Sequence, residues 1–112
     1  MTTTTIEIFY RSKEDVMANW YSEPALETLA NTHVQLPITS EQIGYTDECE
    51  IDYIFFAMNG FESNPLSVGH PTGGLQDWME EVGIGHTSMS VGDVVSINGT
   101  YYACARSGWT QL

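Results

Sequence analysis

A chain of 112 residues, 42% of them apolar, can build one hydrophobic core but not two, so a single domain over residues 1–112 is expected. Fifteen carboxylates against Arg11, Lys13 and Arg106 give a formal net charge of -12, a field that repels DNA, RNA and anionic lipid and disfavours direct nucleic-acid binding. The longest apolar run, Tyr53 to Met58, is far short of the roughly 20 residues of a membrane span, and the threonine-rich start lacks the basic and apolar stretches of a secretory signal, so a cytoplasmic location is expected.

The first element in chain order is a strand over Thr5 to Tyr10, whose alternation puts Ile6, Ile8 and Tyr10 on one face. Ser12 then caps a short helix with Asp15 at its third position and Val16, Met17 and Trp20 as the apolar stripe. Ser22-Glu23-Pro24 opens a second helix, because proline is tolerated in a first turn; its stripe is Ala25, Leu26, Leu29 and Ala30. Val34 to Ile38 reads as a strand or an extended link, followed by a small turn in which Thr39 and Gln42 stand at capping-box spacing.

The strongest helical pattern has Asp47 as N-cap, Glu50 three residues later, and Ile51, Ile54, Phe55 and Met58 on the buried face. It should end near Asn59-Gly60. Phe61 to Gly74, punctuated by glycine and proline around His70, reads as an irregular loop. Leu75, Trp78, Met79 and Val82 give a last helix stopped by Gly83.

The C-terminal segment predicts a hairpin, Val94 to Ile97 and Thr100 to Ala105 around Asn98-Gly99, since Asn-Gly supplies the two positive-φ residues of a type I′ turn. A two-residue loop pairs Ile97 with Thr100, Val95 with Tyr102 and Asp93 with Cys104, placing Val95, Ile97, Tyr102 and Cys104 on the core face. The expected fold is α+β: a small antiparallel sheet of the N-terminal strand and C-terminal hairpin, packed on one face against three or four helices.

No catalytic constellation emerges. The acidic run Asp47-Glu48-Cys49-Glu50-Ile51-Asp52 fails the EF-hand register, because the positions that need glycine and glutamate hold Asp52 and Met58 when counted from Asp47. His33, His70, His86, Cys49 and Cys104 lack zinc-site spacing, so neither metal nor cofactor is expected, and the two cysteines read as buried reduced thiols. Gly69-His70-Pro71-Thr72-Gly73-Gly74 lacks the lysine and hydroxyl of a phosphate loop. His86 beside Ser88 and Ser90, with Asp93 downstream, is the one set suggesting a small hydrolase or ligand-binding site, with the loop around His70 as its wall. No nucleophile elbow accompanies it, and a turn held by Ser90 and Asp93 is the expected role.

Two features point to a protein partner. Asp47, Glu48, Glu50 and Asp52 form an acidic group, and Trp109, beyond the hairpin, is placed either to close the core or to anchor a partner. A basic partner, with the carboxylates imitating the phosphates of DNA, is the sharpest form of this expectation.

The stretch His86-Thr87-Ser88-Met89-Ser90-Val91-Gly92-Asp93-Val94-Val95, with Asn98-Gly99-Thr100-Tyr101-Tyr102-Ala103-Cys104 and Gly108-Trp109, resembles the C-terminal signature of YodL-like proteins, small accessory proteins of bacteriophages, conjugative elements and Firmicutes. Ile51 to Asn59 is similar to the stretch preceding that signature, so about half the chain is covered. His86, Ser88, Ser90, Asp93 and Trp109 fall on patterned positions, while Gly92 stands where many members carry serine. The resemblance implies a phage or mobile-element source, and hence the cytoplasm of a bacterial host, but no catalytic role.

Overall fold

The computed structural model describes residues 4–18, 23–71 and 73–112. Trp20 and Ser22, assigned above to helices, and Thr72 of the glycine-rich loop lie outside the described residues. Five strands form one antiparallel sheet: β1 (Ile6–Arg11), β2 (His33–Gln35), β3 (Val94–Ile97), β4 (Thr100–Cys104) and β5 (Trp109–Gln111), in the order β2-β1-β3-β4-β5. The helices are α1 (Lys13–Ala18), α2 (Leu29–Thr32) after a 3-10 turn at Leu26–Thr28, α3 (Ser40–Ile43), α4 (Ile51–Ala57) and α5 (Gln76–Val82). The α+β expectation holds, and the sheet gains an edge strand on each side.

The hairpin forms at the anticipated register, Ile97 opposite Thr100 and Val95 opposite Tyr102. Asn98 and Gly99 take φ of 50 and 86, the left-handed pair that matches the turn to the twist of the strands. β1 pairs with β3 through Ile6↔Ile97 and Ile8↔Val95, so Ile6, Ile8, Tyr10 and Val95 line one face. On that face Ile43 of α3, Ile54 and Ala57 of α4, Met58, and Met79 of α5 complete the main core.

The helices do not all lie on one face. Alternation along β3 turns Val94 away from Val95, and there it meets Ala103 and Leu29 of α2 in a second, smaller cluster flanked by Phe9 and Tyr101. The hairpin is therefore buried on both sides at its centre, rather than only through Val95, Ile97, Tyr102 and Cys104.

Local rules held where nothing competed with them. Ser12 Oγ accepts from Asp15 N at 3.1 Å, and Thr39 and Gln42 form both halves of a capping box. Gly83 ends α5 with φ 81. Elsewhere the contacts revise the pattern. Met17 is 77% exposed while Asp15 is buried, because Arg11 Nε donates to Asp15 Oδ2 at 2.7 Å and draws that side of α1 inward. The segment after Pro24 becomes helical only at Leu26, with Leu29 buried and Leu26 and Ala30 exposed. Asp47 is not the cap of α4. Its carboxylate accepts from the Thr4 backbone N at 3.2 Å and from the Thr4 hydroxyl, and Glu50 takes the N-cap position with no side-chain cap bond. Cys49 is half-buried and Cys104 buried; both are free thiols.

Among the described residues, no helix is long and apolar enough to cross a membrane.

Candidate functional site

The segment of residues 84–93 folds back over the end of β1, and one carboxylate organises it. Asp93 is fully buried; it accepts from Arg11 N at 2.9 Å, Ser90 N at 2.8 Å and His86 Nε2 at 2.9 Å, with Ser90 Oγ at 3.4 Å. A buried carboxylate is costly unless its oxygens are satisfied, and here the donors come from β1, from the turn and from the imidazole. The His86 ring lies flat on Tyr10, with centroids 4.7 Å apart and planes within 10°. The Tyr10 hydroxyl donates to the Thr87 carbonyl at 2.9 Å, and Asn64 Nδ2 donates to the same carbonyl at 2.8 Å and to Met58 O at 2.7 Å. Asn64 thereby ties the loop after α4 to the segment around Thr87, a link the sequence did not signal.

This arrangement fixes a loop and supplies little for nucleophilic chemistry. In a serine hydrolase the imidazole must receive the hydroxyl proton on one nitrogen while the carboxylate holds the other. Here Ser90 and His86 both donate to the same carboxylate, and the exposed Ser88 makes no hydrogen bond to His86 among the described residues. Burial, reinforced by Asp93, pushes the Tyr10 phenol far above its ordinary 10.0 and the Cys104 thiol up to about 11, so both are neutral near pH 7. His70 takes part in a run of turns, its N–H donating to Ser67 O at 3.0 Å and its carbonyl accepting from Gly73 N at 2.8 Å. Two surface concavities among the described residues are lined by Ser12 and residues of α1 with Val82 and Gly83, and by Val68 with residues 73–78; neither of these holds His70, His86, Ser88 or Asp93.

A second buried network lies on the other side of β1. Arg11 and Asp15 form an ion pair at 2.7 Å, and His33 Nε2 lies 2.7 Å from the Gly92 carbonyl. Burial lowers the His33 pKa below its ordinary 6.5, so the neutral ring donates to Gly92 and accepts from Thr32 Oγ1 through Nδ1 at 2.7 Å.

The outer surface has a different chemistry. Only Asp15 and Asp93 among the carboxylates are buried and Glu7 is half-buried, which leaves twelve exposed, against two exposed cations, Lys13 and Arg106. Of the acidic group at the start of α4, all four members are exposed; Asp47 is engaged by Thr4 and Asp52 accepts from Trp109 Nε1 at 2.9 Å. Trp109 is half-buried and packs against the core, so it joins β5 to α4.

The large exposed apolar side chains nearby are others: Phe56 is 73%, Phe61 67% and Val68 62% exposed. The sequence carried one sign of this. Phe55, expected above on the buried face of α4, is itself 36% exposed, because the inner face is set by Ile54, Ala57 and Met58 and the adjacent Phe55 and Phe56 cannot both turn to it.

Among the described residues no group of three His, Cys, Asp or Glu side chains gathers to hold a metal ion. The chain matches no family model, and neither a curated protein nor a solved structure is similar enough to count as a relative.

Proposed function

We propose that the chain acts by binding a basic protein through its carboxylate surface, without chemistry of its own, as a small accessory protein of a phage or mobile element. The observation that carries this reading is the set of twelve exposed carboxylates set against two exposed cations, with Arg11 turned inward to Asp15. Such a surface attracts cationic partners over a distance of about a Debye length and repels other polyanions. In its sharpest form the partner handles nucleic acid, and the carboxylates occupy the surface on which that partner meets phosphates. The test is a pull-down of the tagged chain from bacterial lysate at low and at high salt, with partners identified by mass spectrometry and then challenged with duplex DNA. Recovery of a basic protein that is lost at high salt and displaced by DNA is the expected result. Recovery of partners indifferent to salt would overturn it.

A second reading, a small hydrolase or ligand-binding protein, rests on the 2.9 Å pair of His86 and Asp93. It requires Ser88, or a ligand seated near His70, to reach that pair, and Ser88→Ala tests it by abolishing any hydrolytic activity found.

A further inference from the structure

The outward face of α4 and the turn after it combines features that a merely solvated surface does not need. Asp52 and Phe56 stand one helical turn apart on the side opposite Ile54, Ala57 and Met58, so a carboxylate and an exposed ring are neighbours there. The turn is fastened to the end of α4 by Ser63 Oγ donating to Ala57 O at 2.8 Å and by Asn59 Nδ2 donating to Phe55 O at 2.8 Å. Phe61 lies across Gly69, where a Cβ would come within 2.2 Å of its ring, so the ring is seated on backbone and still 67% exposed. Val68 adjoins that glycine, and Glu62 adjoins Phe61. Phe61 is therefore held beside Val68 on a glycine platform with Glu62 next to it in the chain, and Phe56 and Asp52 stand on the exposed side of the helix that leads into this turn.

Resting on the reading that the partner is basic, we infer that Phe56, Phe61 and Val68, rimmed by Asp52 and Glu62, form the docking surface for an amphipathic protein segment that carries apolar side chains beside lysine or arginine. The charge selects this occupant. A second copy would bring the same acids against these at a net charge of -12 per chain, and nucleic acid or an anionic bilayer would meet the same repulsion. A cationic segment gains attraction from the rim, and its apolar side chains remove the rings from water. Buried aromatics flanked by complementary charge are the usual anchors of protein recognition.

Two labelled synthetic peptides of equal length and charge, one alternating lysine with leucine in an amphipathic pattern and one lysine with serine, test this by fluorescence anisotropy at low and high salt. The wild-type chain should bind the lysine-leucine peptide at least about tenfold more tightly, the factor expected from burying even one such ring. The double substitution Phe56→Ser with Phe61→Ser, whose unchanged melting temperature confirms folding, should reduce that binding to the lysine-serine level, and Glu62→Gln should weaken both peptides. Equal binding of the two peptides, unaffected by the double substitution, would overturn the docking surface and leave the charge reading standing. Binding of neither at low salt would overturn the charge reading as well. Dimerisation in sedimentation that the double substitution abolishes would assign the surface to a second copy instead.

Discussion

The Asp93 carboxylate lies 2.9 Å from His86 Nε2 and is wholly out of solvent, while the imidazole that serves it is stacked on Tyr10. Taken alone, this pair resembles half of a catalytic triad. Its remaining bonds, to Arg11 N and Ser90 N, make it a clamp that joins the turn before β3 to the first strand.

Asp93→Ala should therefore destabilise the fold strongly. The substitution strands the buried Arg11 amide and removes the acceptor of the part-buried Ser90 amide, at a cost of about 1–3 kcal/mol for a buried unsatisfied group, so a loss of about 2 kcal/mol or more is expected in urea denaturation. Asp93→Asn retains one acceptor oxygen and should lose less. Ser88→Ala, at an exposed position, should leave the unfolding midpoint unchanged.

Gly92→Ala should also destabilise. Gly92 has φ 95, and a Cβ there would lie 2.8 Å from Arg11 Cδ, against the side chain whose Nε is committed to Asp15. Left-handed backbone costs a non-glycine residue about 1–2 kcal/mol, and the displaced arginine adds to that. The measured loss should exceed that of Gly99→Ala, where φ is 86 but nothing crowds the added methyl.

Stability should decline as pH falls below about 6.5, in part through His33. Burial lowers its pKa in the folded state, so between that value and 6.5 the unfolded chain binds a proton that the native chain does not. The hydrogen bond to the Gly92 carbonyl, and then Asp93 and Asp15, oppose this shift, and Arg11 adds to it. The contribution is complete above 6.5 and lost as pH falls through the folded value. In urea melts at about pH 7.5, 6.5 and 5.5, His33→Gln should show a shallower decline than the wild type.

Cys104, with its thiol pushed up to about 11 by burial and then by Asp93, should resist alkylation at about pH 8 in the native protein and react once the chain is unfolded. The half-buried Cys49 should be labelled first. The stability associated with the Cys104 thiol is present below its ordinary 9.0 and lost as pH rises through about 11.

Elements specified by short-range chemistry were legible in the sequence. Asn98-Gly99 fixes a turn geometry, Thr39 and Gln42 satisfy each other across one turn, and β1 alternates cleanly. What the sequence concealed depends on partners distant along the chain. Asp47 has capping-box spacing to Glu50, yet its carboxylate is taken by Thr4, 43 residues away. Met17 follows the apolar stripe of α1, but the Arg11–Asp15 pair decides which side of that helix is buried. The candidate site divides in the same way. The local bond of Ser90 to Asp93 was readable from their spacing, whereas the stack of His86 on Tyr10 and the tie through Asn64 exist only once the sheet is assembled.

The central claim, that exposed carboxylates drive recognition of a basic partner, is tested most directly by measuring the affinity of the recovered partner against salt for the wild type and for the variant Glu48→Gln with Glu50→Gln. Wild-type affinity should fall steeply as salt rises, and the variant should bind more weakly at low salt with a shallower dependence, the two curves converging at high salt. Parallel curves of equal affinity, insensitive to salt and to the lost charges, would contradict it.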